Sequence, residues 1–131
     1  MIMTNTEKTK IHVLIVEDDI FLANIYKTKF DMEGFKVSTS ENGEAGLNDI
    51  KKKKPDIVLL DILLPKMDGF VVLEKLKADP EVKSIPVILL TNLGQKDDVQ
   101  KGLEMGAEDY LIKAHFKPSE VVEKVRKILN K

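Results

Sequence analysis

The chain has 131 residues, 43% of them hydrophobic and 33% charged, with a formal net charge of −1. That gives room for one domain and one sizeable core, and no global case for nucleic acid or an anionic membrane as a partner. There is no cysteine, so disulfides and thiolate metal sites are excluded. No apolar run approaches the ~20 residues that span a bilayer, and the polar start lacks the apolar segment of a signal peptide. The expectation is a flexible tail over residues 1–10, one domain over 11–131, and a cytoplasmic location.

Ile11-His12-Val13-Leu14-Ile15-Val16 reads as a first strand from its β-branched content. It ends on Glu17-Asp18-Asp19. Three acids at a strand end are costly unless something cationic sits among them. Helix capping by Asp18 or Asp19 accounts for one acid well and three poorly. The next segment has Leu22, Ile25, Tyr26 and Phe30 on one helical face, and Gly34 ends it. Phe35-Lys36-Val37-Ser38-Thr39 is a short second strand. Asn42-Gly43 has the look of a hairpin turn, but the residues after it do not alternate. Asn42 therefore reads as a helix N-cap, with Leu47 and Ile50 facing inward. Lys51 to Lys54 are solvated cations at the negative end of that helix.

Pro55 breaks the helix before a third strand over residues 56–60, a continuous apolar run that ends on Asp61. Such runs mark strands buried on both faces, and ligands in open α/β sheets bind outside the carboxyl ends of the strands. A helix from about Gly69 turns Val72, Leu73 and Leu76 inward, and Ala78-Asp79-Pro80 stops it. A fourth strand, residues 85–90, ends on Thr91. Residues 97–104 form a short helix with Val99 and Leu103 on one face, capped by Gly106. Asp109-Tyr110-Leu111-Ile112 is the fifth strand and ends on Lys113. Pro118 opens the last helix, where Val121, Val125 and Ile128 share a face.

Strands separated by single helices run parallel through right-handed crossovers. The result is an α/β open sheet with helices on both faces. All carboxyl ends then lie on one side, which gathers Glu17, Asp18, Asp61, Thr91 and Lys113. Hard oxygen ligands without His or Cys favour Mg²⁺. A carboxylate surrounded by a metal, an ammonium and a hydroxyl suits phosphoryl transfer onto that carboxylate.

Val16-Glu17-Asp18-Asp19, then Asp61-Ile62-Leu63-Leu64-Pro65-Lys66-Met67-Asp68-Gly69, then Thr91, Tyr110 and Lys113 together resemble a response-regulator receiver domain of two-component signalling, of the stand-alone single-domain type. The resemblance runs from about Lys10 to the end. It implies a three-layer, flavodoxin-like (βα)5 fold with strand order 2-1-3-4-5. It makes Asp61 the phosphoacceptor, with Glu17 and Asp18 as metal-binding acids for Mg²⁺, assisted by Asp61 and the carbonyl of Leu63. Lys113 pairs with the phosphoryl group, and Thr91 and Tyr110 form a switch pair. The donor is a phosphohistidine on a partner histidine kinase or phosphotransfer protein. The domain is then no conventional enzyme but promotes its own phosphorylation and dephosphorylation.

Output would leave through the face of the fourth helix, fifth strand and fifth helix toward a downstream protein, with Leu103, Ala107, Tyr110 and Lys117 as contacts. No direct nucleic-acid contact or membrane insertion is expected, and the chain would be a monomer or weak homodimer. A relay role in a phosphotransfer chain is an alternative, as is a degenerate receiver that only docks. Against the latter, all the acidic, hydroxyl and lysine positions are intact. Asp19, Lys66 and Asp68 read as cap and loop residues, and His12 and His115 as without a role.

Three departures stand out. Receiver domains commonly carry Pro after the lysine, with a cis bond; here Ala114 follows Lys113, and the Lys113–Ala114 bond is expected to be cis nonetheless. Asn92 stands where a small residue is usual, and Leu63 where many members are polar. Neither Leu63 nor Leu93 can orient a water, so the acyl phosphate should hydrolyse slowly. Two other chemistries fit less well. A flavin or nucleotide binder needs backbone N–H groups around phosphate, not Glu17-Asp18-Asp19. An aspartate-nucleophile phosphatase needs an acid where Leu63 stands.

Overall fold

Alternation along the strands decides which helices each residue meets. In a computed structural model, which describes residues 10–92, 95–115 and 117–130, five parallel strands occur among the described residues: β1 (His12–Val16), β2 (Lys36–Ser40), β3 (Ile57–Asp61), β4 (Val87–Thr91) and β5 (Asp109–Ile112). Their spatial order is β2-β1-β3-β4-β5, the flavodoxin-like arrangement. Each strand is followed by a helix: α1 (Ile20–Met32), α2 (Gly43–Lys53), α3 (Gly69–Ala78), α4 (Lys96–Glu104) and α5 (Pro118–Leu129).

Successive strand residues point to opposite faces, and two cores result. Leu14, Val16, Val58, Leu60, Val87 and Leu89 pack under Leu47 and Ile50 of α2 and Val72, Leu73 and Leu76 of α3. Val13, Ile15, Ile57, Leu59, Ile88, Leu90 and Leu111 pack under Tyr26 and Phe30 of α1 and Val121, Val122 and Val125 of α5. The central strands β1, β3 and β4 are buried throughout, which is why they read as unbroken apolar runs.

Local signals set the helix ends. Asp19 caps α1 by accepting from the Leu22 amide at 3.1 Å. Asn42 caps α2 through Ala45 at 2.8 Å. Asp68 caps α3 through Phe70 and Val71. Each side chain satisfies an amide that lacks a partner in the first turn. Gly34 follows α1 at φ 91°, a left-handed conformation that only glycine adopts without strain.

Several expectations need correction. Ile25 is 50% exposed; the inward line of α1 runs through Ala23, Tyr26 and Phe30, and 100° per residue turns Ile25 off it. The second strand lies one residue later than expected, because Phe35 instead packs edge-on against Phe30, with ring centroids 5.1 Å apart. Ala107 is 8% exposed and belongs to the core, so it offers no contact surface. His12 is not idle in packing: its Nε2 lies 2.8 Å from Ser38 Oγ across β1 and β2. No cis peptide bond occurs among the described residues, against the expectation for Lys113–Ala114. A short 3-10 turn, Lys113–His115, redirects the chain there. Of the expected tail, residues 1–9 lie outside the described residues, as does Leu93. No helix among the described residues is long and apolar enough to cross a membrane.

Candidate functional site

Register brings the site together. Val16 pairs with Leu60, Asp61 with Leu90, and Thr91 with Ile112. Residues one step beyond or at the end of neighbouring strands therefore meet at one edge. Val13, Ile15 and Glu17 share parity, as do Leu59 with Asp61 and Leu111 with Lys113. The three polar side chains thus lean toward the same side of the sheet.

There the Lys113 ammonium lies 2.7 Å from Asp61 Oδ2 and 2.8 Å from Glu17 Oε1. The Glu17 and Asp61 side chains are 0% and 4% exposed, and that of Lys113 is 17% exposed. The other Asp61 oxygen, Oδ1, accepts from the Leu63 backbone amide at 3.1 Å. Glu17 Oε2 accepts from the Asp19 amide at 3.0 Å. Glu17 Oε1 faces the ammonium as an ion pair but has no hydrogen-bond partner among the described residues. It is paired in charge and unsatisfied in bonding.

The charge balance follows from this geometry. Two buried carboxylates share one ammonium, leaving one negative charge over. Burial pushes the Glu17 carboxyl up to about 7, and the neighbouring Asp61 charge adds to this, while Lys113 and the Asp19 amide pull the other way. Burial alone would lower the Lys113 pKa. Its hydrogen bond to Asp61 and its ion pair with Glu17 outweigh that and raise its pKa, so the ammonium is held more firmly than usual. Beside this group the Tyr26 hydroxyl is buried and has no hydrogen-bond partner among the described residues. Burial raises its pKa, and the charge on Glu17 raises it further.

One oxygen from each of Glu17, Asp18 and Asp61 lies within 4.8 Å of the others. Asp18 is exposed and the other two are buried. An all-oxygen donor set with surplus negative charge and an orphaned buried carboxylate oxygen fits a hard divalent cation that keeps several waters, Mg²⁺ before zinc or copper.

Of the other expected residues, Leu63 touches the cluster through its backbone amide, whereas Thr91 and Tyr110 face α4. The Thr91 hydroxyl, at the end of β4, donates to Gln95 Oε1 at 2.9 Å. Tyr110 is 37% exposed. Both line an open groove of about 900 Å³ along α4. Leu63, two residues after Asp61, is 53% exposed, and Lys117 is exposed while Leu103 is half-buried. Sequence reasoning missed Gln95 and the Tyr26 hydroxyl. Gln95 carries no sequence signal, being one polar residue before a helix. Tyr26 fits the apolar face of α1, which hides its polar end.

Comparison with known proteins adds independent findings. The family model for the response regulator receiver domain matches residues 13–126. The chain is 40% identical over 124 residues to the "Probable transcriptional regulator ycf27" of Guillardia theta, covering 95% of this chain and 47% of that protein. It is 36% identical over 119 residues to the "DNA-binding dual master transcriptional regulator RpaA" of Synechocystis, covering 91% of this chain and 49% of that one. It thus spans about half the length of these curated relatives. Among solved structures, the receiver domain of the Francisella response regulator 1452 superposes with a TM-score of 0.81 at 30% identity, covering 89% of this chain and 94% of that one. The chemotaxis response regulator CheY4 of Vibrio cholerae superposes with a TM-score of 0.84 at 25% identity, covering 92% and 99%.

Proposed function

The chain belongs to the response regulator receiver domain family, and on that premise we propose that Asp61 accepts a phosphoryl group and that this phosphorylation switches the surface of the domain. The observation that carries the reading is the Lys113 ammonium set 2.7 Å from Asp61 and 2.8 Å from Glu17 at the carboxyl edge of the sheet.

Asp61 forms the new bond to phosphorus while the bond to the donor's leaving group, an imidazole nitrogen of a phosphohistidine, breaks. Charge gathers on the transferred oxygens, and Lys113 stands where it can neutralise it without rearranging solvent. The Leu63 amide fixes the orientation of the carboxylate through Oδ1. Glu17, Asp18, Asp61 and the Leu63 carbonyl would hold Mg²⁺, which when bound supplies a further positive charge to the phosphoryl oxygens. Thr91 offers a hydroxyl proton to the same oxygens, and Tyr110 follows it inward. The modified state is then one of two populations that a partner distinguishes.

The donor is a histidine kinase or phosphotransfer protein, and the compartment this chemistry implies is the cytoplasm. The readout is a downstream protein that meets the face of α4, β5 and α5. Domain limits of 11–131 with a tail before them accompany this reading. The DNA-binding description of the Synechocystis relative belongs to a protein about twice as long, so no nucleic-acid contact is assigned to this domain.

Incubation with Mg²⁺ and acetyl phosphate should add one phosphoryl group by intact mass. Chelation of the metal should prevent the gain. A chain that stays unmodified under these conditions, and also with a phosphorylated kinase domain, contradicts the proposal.

A slow return is expected as well. The exposed Leu63 side chain can neither orient nor activate a water next to the acyl phosphate. Leu63→Asn should speed phosphate release about tenfold, the worth of one hydrogen bond to the attacking water, measured as decay of the phosphorylated mass. An unchanged decay counts against this role for Leu63.

A further inference from the structure

Gln95 occupies the N-cap position of α4 yet makes no side-chain bond to the amides of its own helix. Its Oε1 instead accepts twice, from the Thr91 hydroxyl at 2.9 Å and from the Asn92 backbone amide at 3.0 Å. The Asn92 amide can only donate, so it fixes which end of the carboxamide faces the strand. The Thr91 proton is therefore directed at Gln95. The same hydroxyl also makes a longer contact of 3.3 Å to the Asn92 carbonyl. Thr91 is 1% exposed, so water does not compete for this proton.

A hydroxyl has one hydrogen to give. While Gln95 holds it, no phosphoryl oxygen on Asp61 can receive it. Strand parity reinforces the arrangement: Val87, Leu89 and Thr91 alternate toward the opposite side of the sheet from Asp61 and Glu17. Gln95, Thr91, Asn92 and Tyr110 also line the same groove, so release of Gln95 alters the groove wall as well as the hydroxyl.

We propose that Gln95 is a positioning residue, a latch that keeps the Thr91 hydroxyl proton away from Asp61 until phosphorylation, and so sets how much of the unmodified protein is competent to react. This rests on the reading of Asp61 as phosphoacceptor. The latch works through acceptor oxygens alone, since both bonds end on Oε1. A carboxylate can replace it, and an apolar side chain of similar size cannot.

The test compares the wild type with Gln95→Leu and Gln95→Glu, each also in a Thr91→Ala background. The reading is the initial rate of phosphoryl gain from acetyl phosphate at saturating Mg²⁺, by intact mass. Gln95→Leu should react about fivefold faster, the worth of one ordinary hydrogen bond released from the resting population. Gln95→Glu should equal the wild type or fall below it. Without the Thr91 hydroxyl, Gln95→Leu should lose its advantage, which no general loosening of α4 would produce. A rate unchanged or lowered in Gln95→Leu overturns the latch, as does an acceleration that persists in Thr91→Ala. A wild type that gains no phosphoryl group overturns both the latch and the reading of Asp61, whereas one that reacts normally beside indifferent Gln95 variants overturns the latch alone.

Discussion

Lys113→Met should slow phosphoryl gain by about a hundredfold, the cost of losing one preorganised charge where negative charge develops. It should also lower stability by about 3 kcal/mol, because removing one partner of a buried pair leaves the other without compensation. The structure gives both numbers one cause. The ammonium is the cation that stands between Asp61 and Glu17, at 2.7 and 2.8 Å, and both carboxylates are almost wholly buried. Without it, two buried carboxyl groups face each other in a poorly solvated site with no ammonium between them. The two effects separate on adding Mg²⁺. A cation bound by Glu17, Asp18 and Asp61 stabilises the folded state by mass action, so the melting midpoint of Lys113→Met should recover more in Mg²⁺ than that of the wild type. The reaction rate should stay low, because the second positive charge is still missing. Thermal melts and mass kinetics with and without the metal check this. A variant that reacts like the wild type would remove Lys113 from the chemistry.

Gly69→Ala should cost about 3 kcal/mol, at the upper end for an overpacked site, and slow the reaction with it. A Cβ on Gly69 would lie 2.3 Å from the Asp61 carbonyl oxygen, 2.8 Å from Ile62 Cα and 3.0 Å from the Ile62 carbonyl oxygen. All three atoms are backbone, so no side chain can swing away. The same glycine donates its amide to Ile62 O at 2.8 Å. The start of α3 is therefore pressed against the end of β3, and the only relief is to move the backbone that carries Asp61. A denaturation midpoint and an initial rate for the same variant should fall together. Full stability, or lost stability at an unchanged rate, would contradict this account of how the loop after Asp61 is held.

Much of this was legible in the sequence, because the signals are local or periodic. The apolar runs of β1, β3 and β4 announced buried parallel strands, and Asp19, Asn42 and Asp68 announced the helix starts they cap. The polar residues that end those runs fell on one edge because parallel strands put every carboxyl end on the same side. What was not legible depends on contacts between segments. Ile25 fits the helical pattern but lies off the line that Ala23, Tyr26 and Phe30 bury. Ala107 sits in a loop by sequence and in the core by structure. The bond from Thr91 to Gln95 joins a strand end to a helix start and leaves no mark on composition or periodicity. The turn after Lys113 follows its own geometry: the lysine reaches Asp61 although no cis bond occurs among the described residues.

The most direct measurement identifies the modified atom. The chain is phosphorylated with acetyl phosphate and Mg²⁺, the acyl phosphate is reduced with borohydride, and the peptides are fragmented. The account predicts that aspartate is converted at position 61 alone, and that Asp61→Asn yields no converted peptide. Conversion at Asp18 or Glu17 in the wild type, or none anywhere while the intact mass still gains a phosphoryl group, would contradict it.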